Sequence, residues 1–127
     1  MALIGVGIDL VEVADADRLL VRWGERLLAK VLTSDEREYV LSHEFPEKHI
    51  AVRLAAKEAV YKALAPLPDA RGVGWRDIEV VRALDGHPSV RLHGLAARIQ
   101  QRDGPFRISL SLSHTSQTAG AVAVIER

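Results

Sequence analysis

Residues 46 to 65, PEKHIAVRLAAKEAVYKALA, constrain the fold more than any other stretch. Pro46 suits the first turn of a helix, where its missing N–H is harmless, and Pro66 and Pro68 stop that helix. At about 100° per residue, Val52, Ala56, Ala59 and Ala63 form one apolar stripe, widened by Val60 and Leu64. The opposite side carries Glu58 and Lys62, yet their neighbours there are Ala51, Leu54, Ala55, Tyr61 and Ala65. A helix with two apolar sides is covered on both, so one side faces the core and something else must cover the other. The Glu58 and Lys62 pair then reads in two ways. It is either an ordinary i, i+4 ion pair, worth about 0.2 to 0.5 kcal/mol, or two site groups facing a cleft.

Residues 2 to 13 are rich in Val, Ile and Leu without a helical period, as in a strand covered on both faces. Its odd face holds Gly5, Gly7 and Asp9, and the glycines leave room beside the one carboxylate for something to approach. Residues 15 to 30 read as one helix on which Arg18, Arg22, Arg26 and Lys30 stack in a ridge, either a solvated face or a dock for an acidic partner. Thr33-Ser-Asp-Glu36 is a capping box that opens a short helix to about residue 43. Residues 66 to 74 are loop-like. Ile78 to Leu84 and Pro88 to Leu92 flank Asp85-Gly86, a dipeptide suited to a tight hairpin. A further helix over 94 to 102 stops at Gly104-Pro105. In 106 to 113 apolar and polar residues alternate, a strand signal, and 118 to 125 reads as the returning strand. The fold class is α+β, with helices on a mostly antiparallel sheet, and 127 residues fit one domain, 1–127.

Seventeen basic and seventeen acidic residues give zero formal charge, so nothing in the totals points to nucleic acid or an anionic membrane. No stretch approaches the roughly 20 apolar residues of a membrane span. Without cysteine there is no disulfide, thiolate metal site or thiol nucleophile, and any chemistry uses oxygen and nitrogen donors. The N-terminus lacks a signal peptide's basic flank and cleavage site, and the expected setting is cytoplasmic.

A carboxylate inside an apolar strand needs a partner to stay ionised. Asp9 with Glu58 suits one hard divalent cation, because Mg²⁺ typically takes one or two protein carboxylates with waters and substrate phosphates. Lys62, one turn from Glu58, would reach the same phosphates. His114 begins a turn among hydroxyls. His43, His49, His87 and His93 form no metal spacing.

GIDLVEV at 7 to 13, RLAAKEAVYKAL at 53 to 64, DIEVV and DGHP within 77 to 88, and SLSHT at 111 to 115 together resemble the small phosphopantetheinyl transferases called holo-(acyl-carrier-protein) synthases. The resemblance implies transfer of 4′-phosphopantetheine from coenzyme A to a serine of an apo acyl carrier protein, releasing adenosine 3′,5′-bisphosphate. It implies Asp9 and Glu58 as Mg²⁺ ligands, with Glu58 or a metal-held water taking the serine proton. Lys62 would sit near the reacting phosphate, and Arg53, Ser113 and His114 on the coenzyme phosphates. Gly86, His87 and Pro88 would lie at its adenine end. It also implies a homotrimer with sites between protomers, the neighbour covering the second side of helix 46 to 65.

The chain departs from the family pattern in three places. Leu54 stands where relatives usually have phenylalanine or tryptophan. APLPDARGVG replaces a glycine-rich loop after residue 64. Asp15 replaces an early basic residue that meets the carrier, a role then expected of Arg18, Arg22 and Arg26. Two other readings remain open: a scaffold of the same fold that binds coenzyme A or a carrier without turnover, and, on chemistry alone, a Mg²⁺-dependent diphosphate hydrolase.

Overall fold

The computed structural model describes residues 2–127. Strands β1 (Leu3–Glu12), β4 (Arg107–His114) and β5 (Thr118–Glu126) form an antiparallel sheet in the order β1-β5-β4, and β2 (Ile78–Arg82) pairs with β3 (Pro88–Leu92) as a separate antiparallel hairpin. The helices are α1 (Val13–Trp23), α2 (Glu25–Val31), α3 (Ser34–Leu41), α4 (Pro46–Leu64) and α5 (Gly94–Asp103). The α+β class and antiparallel pairing expected from the sequence hold. No helix among the described residues is long and apolar enough to cross a membrane.

The core forms where α4 lies on the three-stranded sheet. Ala56, Ala59, Val60, Ala63 and Leu64 pack in one cluster with Ala121, Ala123 and Ile125 of β5, with Ile78 and Val80 of β2, and with Ala96 and Ile99 of α5. The two glycines of β1 set this contact. A Cβ on Gly5 would stand 1.9 Å from the Ala63 carbonyl oxygen, and one on Gly7 would stand 1.8 Å from that of Ala59. The room that the glycines leave is therefore taken by the α4 backbone and not by a ligand.

The second apolar side of α4 is covered by the same chain. Ala51 and Leu54 are buried with Ala16 of α1, Leu28 and Val31 of α2, and Val40 of α3, so a neighbouring protomer is not needed for that purpose. Covering both sides takes two short helices where one was expected over 15 to 30. Gly24, at φ 50°, ends α1 and turns the chain into α2, which breaks the predicted cationic ridge. Arg22 and Arg26 instead lie over the Trp23 ring, at 5.0 and 5.4 Å, and Arg18 pairs with Asp15.

Strand β1 also departs from expectation. Its odd face meets α4, but Val6, Ile8 and Leu10 on the even face are 55, 61 and 69% exposed. The β2–β3 connection spans residues 83 to 87, longer than a two-residue turn, and only Gly86 in it has a positive φ, 87°.

The Thr33 capping box forms as expected, though α3 ends at Leu41. Its Glu36 does more than cap. The carboxylate is buried, takes a hydrogen bond from Lys57 Nζ at 2.7 Å, and accepts another from the Val80 amide at 3.0 Å. Lys57 also donates to the carbonyls of Trp75 and Ile78, which ties α3, α4 and β2 into one unit.

Gly7→Ala is expected to destabilise the fold by about 3 kcal/mol or more, because a rigid backbone must shift to admit the methyl group. The measurement is the urea midpoint at unchanged m value. A shift below about 0.5 kcal/mol would mean that α4 does not rest on β1 as described.

Candidate active site

Gly5 faces Ala63 and Gly7 faces Ala59. Two strand residues advance about 6.8 Å and four helical residues about 6.0 Å, so continuing this register brings Asp9 beside the turn that ends at Glu58. Asp9 is half-buried, and Lys62 Nζ lies 3.0 Å from its Oδ1 and 2.9 Å from the carbonyl oxygen of Ile8. The local i, i+4 pair is thus not made. Lys62 turns to β1, and among the described residues no ion pair joins it to Glu58. Glu58 borders a cavity of about 400 Å³ with Tyr61 and Trp75. It also borders an apolar groove of about 700 Å³ formed by Val11, Leu19, Trp23, Leu27 and Leu54, with Arg26 and Lys30 at its edge.

Among the described residues no three His, Cys, Asp or Glu side chains converge as a ready metal cage. Two hard carboxylates fit Mg²⁺, which usually retains waters and takes further oxygens from a phosphorylated substrate.

A second cavity, of about 350 Å³, opens on another flank of α4. Arg53, Gly86, His87, Pro88 and His114 all line it. Ser113 is exposed at the adjoining end of β4, opposite Gly120, and it is Ser111 that borders the cavity. Lys48, His49 and Arg82 line it too, and no carboxylate does. Arg53 is 3% exposed, lies 4.3 Å above the Tyr39 ring and donates weakly to the His49 carbonyl at 3.4 Å. Its Nε–H has no partner. A buried donor without an acceptor costs about 1 to 3 kcal/mol, so an acid-free cationic cavity containing one is chemically suited to an anion.

His49 was passed over in the sequence because the histidines show no metal spacing. The usable signal was its place one helical turn before Arg53. Burial, followed by the positive surroundings of His43, Arg53, Arg82 and His114, lowers its pKa to about 4.

The candidate residues therefore fall into two groups. Asp9 and Lys62 meet where α4 crosses β1, with Glu58 one helical turn from Lys62, while Arg53, the 86–88 loop and His114 surround the cationic cavity. Arg53 and Glu58 are five residues apart, about 140° around the helix, which is why one α4 serves both.

Residues 5–122 match the family model described as ACPS, the 4′-phosphopantetheinyl transferase superfamily, and the chain belongs to this superfamily. Within it, the chain is 44% identical over 124 residues to the holo-(acyl-carrier-protein) synthase of Carboxydothermus hydrogenoformans, covering 95% of this chain and 96% of that protein. The crystal structure of the holo-(acyl-carrier-protein) synthase from Neisseria meningitidis superposes with a TM-score of 0.84 at 27% identity, covering 98% of this chain and 99% of that one. The Bacillus anthracis synthase in complex with CoA (3′,5′-ADP) superposes with a TM-score of 0.79 at 26% identity, covering 99 and 98%.

His49 makes stability depend on pH. The unfolded imidazole titrates near 6.5 and the folded one near 4, so between these values the unfolded state holds more protons. Stability is expected to fall as pH drops through that window. In urea titrations His49→Gln should flatten this part of the profile, and an unchanged slope would contradict the assignment.

Proposed function

We propose that this chain, acting as one 1–127 domain, transfers 4′-phosphopantetheine from coenzyme A to a serine hydroxyl of an apo acyl carrier protein. The observation that carries the reading is the Asp9–Lys62 contact, one helical turn from Glu58, beside an acid-free cationic cavity on the same helix. The first suits the reacting phosphates, and the second suits the phosphorylated adenosine end.

In the reaction the serine oxygen bonds to the β-phosphorus of coenzyme A. The bond from that phosphorus to the bridging oxygen breaks, and adenosine 3′,5′-bisphosphate leaves. Glu58 accepts the serine proton. The Lys62 ammonium, held at β1, stabilises charge growing on the phosphate oxygens. Asp9 and Glu58 would hold Mg²⁺, which would supply further positive charge at those oxygens. The groove of Leu19, Trp23, Leu27 and Leu54, edged by Arg26, fits an amphipathic acidic helix of the carrier. Of the expected docking arginines, Arg26 borders this groove, whereas Arg18 is paired with Asp15 and Arg22 stacks on Trp23. The cytoplasmic setting belongs to the same reading.

We further propose that the two groups of residues meet across a homotrimer interface. Ile8, Val122 and Ser111 are laterally paired across β1, β5 and β4, so the exposed apolar face of the sheet runs to the edge of the cationic cavity. A second copy seated on Ile8 and Leu10 would bring its own residues to that edge. The scaffold and hydrolase alternatives gain no specific support from this arrangement.

Intact-mass spectrometry of an apo carrier incubated with the protein, coenzyme A and Mg²⁺ is expected to reveal one added phosphopantetheine, lost with EDTA. Glu58→Gln should abolish the shift while keeping stability within about 0.5 kcal/mol, because Glu58 is only half-buried. Diphosphate cleavage without a carrier would favour the hydrolase, and binding of coenzyme A without turnover would favour the scaffold.

Sedimentation is expected to give three times the 13.9 kDa chain mass. Ile8→Lys should yield single chains with little transfer activity, and a fully active single chain would sink the shared site.

A further inference from the structure

The cationic cavity contains a histidine that the reaction leaves without a role. We propose that His49 binds the phosphorylated end of coenzyme A and takes up a proton as that anion binds. The identity of the anion rests on the transferase reading, while the argument for proton uptake is local to the cavity.

His49 is half-buried on α4 and lines the cavity one turn before Arg53. The His43 ring, just past the end of α3, lies 3.7 Å from it at 34°, and from α3 the Tyr39 ring meets it edge-on at 5.7 Å. Its own helix contributes Lys48 and Arg53 to the same cavity. Arg82 enters from β2, His87 from the following loop and His114 from the end of β4. Nearby carboxylates do not line the cavity: Glu36 binds Lys57, Asp85 lies 3.2 Å from His87 on an exposed loop, and Glu44 and Glu47 stand beside His43 and Lys48 in the sequence. Within the cavity His49 thus faces positive groups and no carboxylate, and it is neutral near pH 7.

A phosphomonoester brings a charge of about −1.5 to −2 at neutral pH. Two such groups, or one with a diphosphate, reverse the sign of the field at the imidazole, so its protonated form becomes the favoured one. Protonation also changes what the ring can do, since imidazolium donates from both nitrogens whereas the neutral ring donates from one. The neighbouring His43 Nδ1–H is directed at the Tyr39 carbonyl, at 2.8 Å. Two stacked rings at 3.7 Å disfavour a second like charge, so the pair gains about one proton. A lysine or arginine at position 49 would instead add a permanent charge to an already unbalanced cluster. Histidine supplies the cation when the anion arrives.

The test is the imidazole Cε1–H resonance of His49, assigned by its loss in His49→Gln. The full chain is followed from pH 5.5 to 7.5 with and without saturating adenosine 3′,5′-bisphosphate. In the free protein the resonance should stay at its neutral position throughout. With the bisphosphate it should move to the protonated position as pH falls through the window. In parallel calorimetry, His49→Gln should weaken bisphosphate binding about tenfold at pH 6, where the bound imidazole is protonated, and by less than about twofold at pH 8, where it is neutral. If His49 stays neutral while the His87 or His114 resonances respond, the anion binds without protonating His49, and this inference falls while the transferase reading stands. If no histidine responds and calorimetry gives no heat, the bisphosphate does not bind, and both fall.

Discussion

The closeness of α4 to β1 governs the rest of the molecule. Two missing side chains, at Gly5 and Gly7, let the strand touch the helix backbone at Ala63 and Ala59. Because of that contact the Lys62 ammonium reaches both a carbonyl of β1 and the Asp9 carboxylate. A separation larger by one methyl group would carry the ammonium away from the strand. The site's charge arrangement is therefore a consequence of main-chain packing, and the small residues of α4 are as necessary to it as the charged ones.

The Lys57 and Glu36 pair performs the complementary task of fixing the hairpin end of α4. Both side chains are almost wholly buried, and the lysine also donates to the main-chain carbonyls of Trp75 and Ile78. Burial alone would lower the lysine pKa, and the facing carboxylate opposes that effect. The pair neighbours Glu58 in sequence but points into the protein, so the adjacent Lys57 and Glu58 of one motif serve separate ends.

Much of this was legible in the sequence where a local rule decides the outcome. The Thr33 capping box, the start of α4 at Pro46 and the alternation of β4 are all set by neighbouring residues, and each was found where expected. The break at Gly24 was not, because a glycine amid good helix formers is also tolerated within a helix. The exposed face of β1 was misread for a related reason. Val6, Ile8 and Leu10 are apolar whether they face a core, a partner or solvent, and periodicity cannot tell these apart. The candidate residues were recoverable one by one from motifs, but their separation around α4 depends on which side of the helix each long side chain takes. His49 escaped because its significance comes from Arg82 and His114, distant in sequence and adjacent only in the fold.

The buried pair also bears on how such a chain can change over generations. Replacing Lys57 alone strands a carboxylate in the interior, and replacing Glu36 alone strands an ammonium, each at about 3 to 5 kcal/mol. An apolar substitution of both together removes the stranded charge, although the Val80 amide and the Trp75 and Ile78 carbonyls then lose their partners. The two positions, 21 residues apart, are consequently locked to each other, and a lineage can leave this arrangement only by way of a protein close to unfolding or by two changes at once.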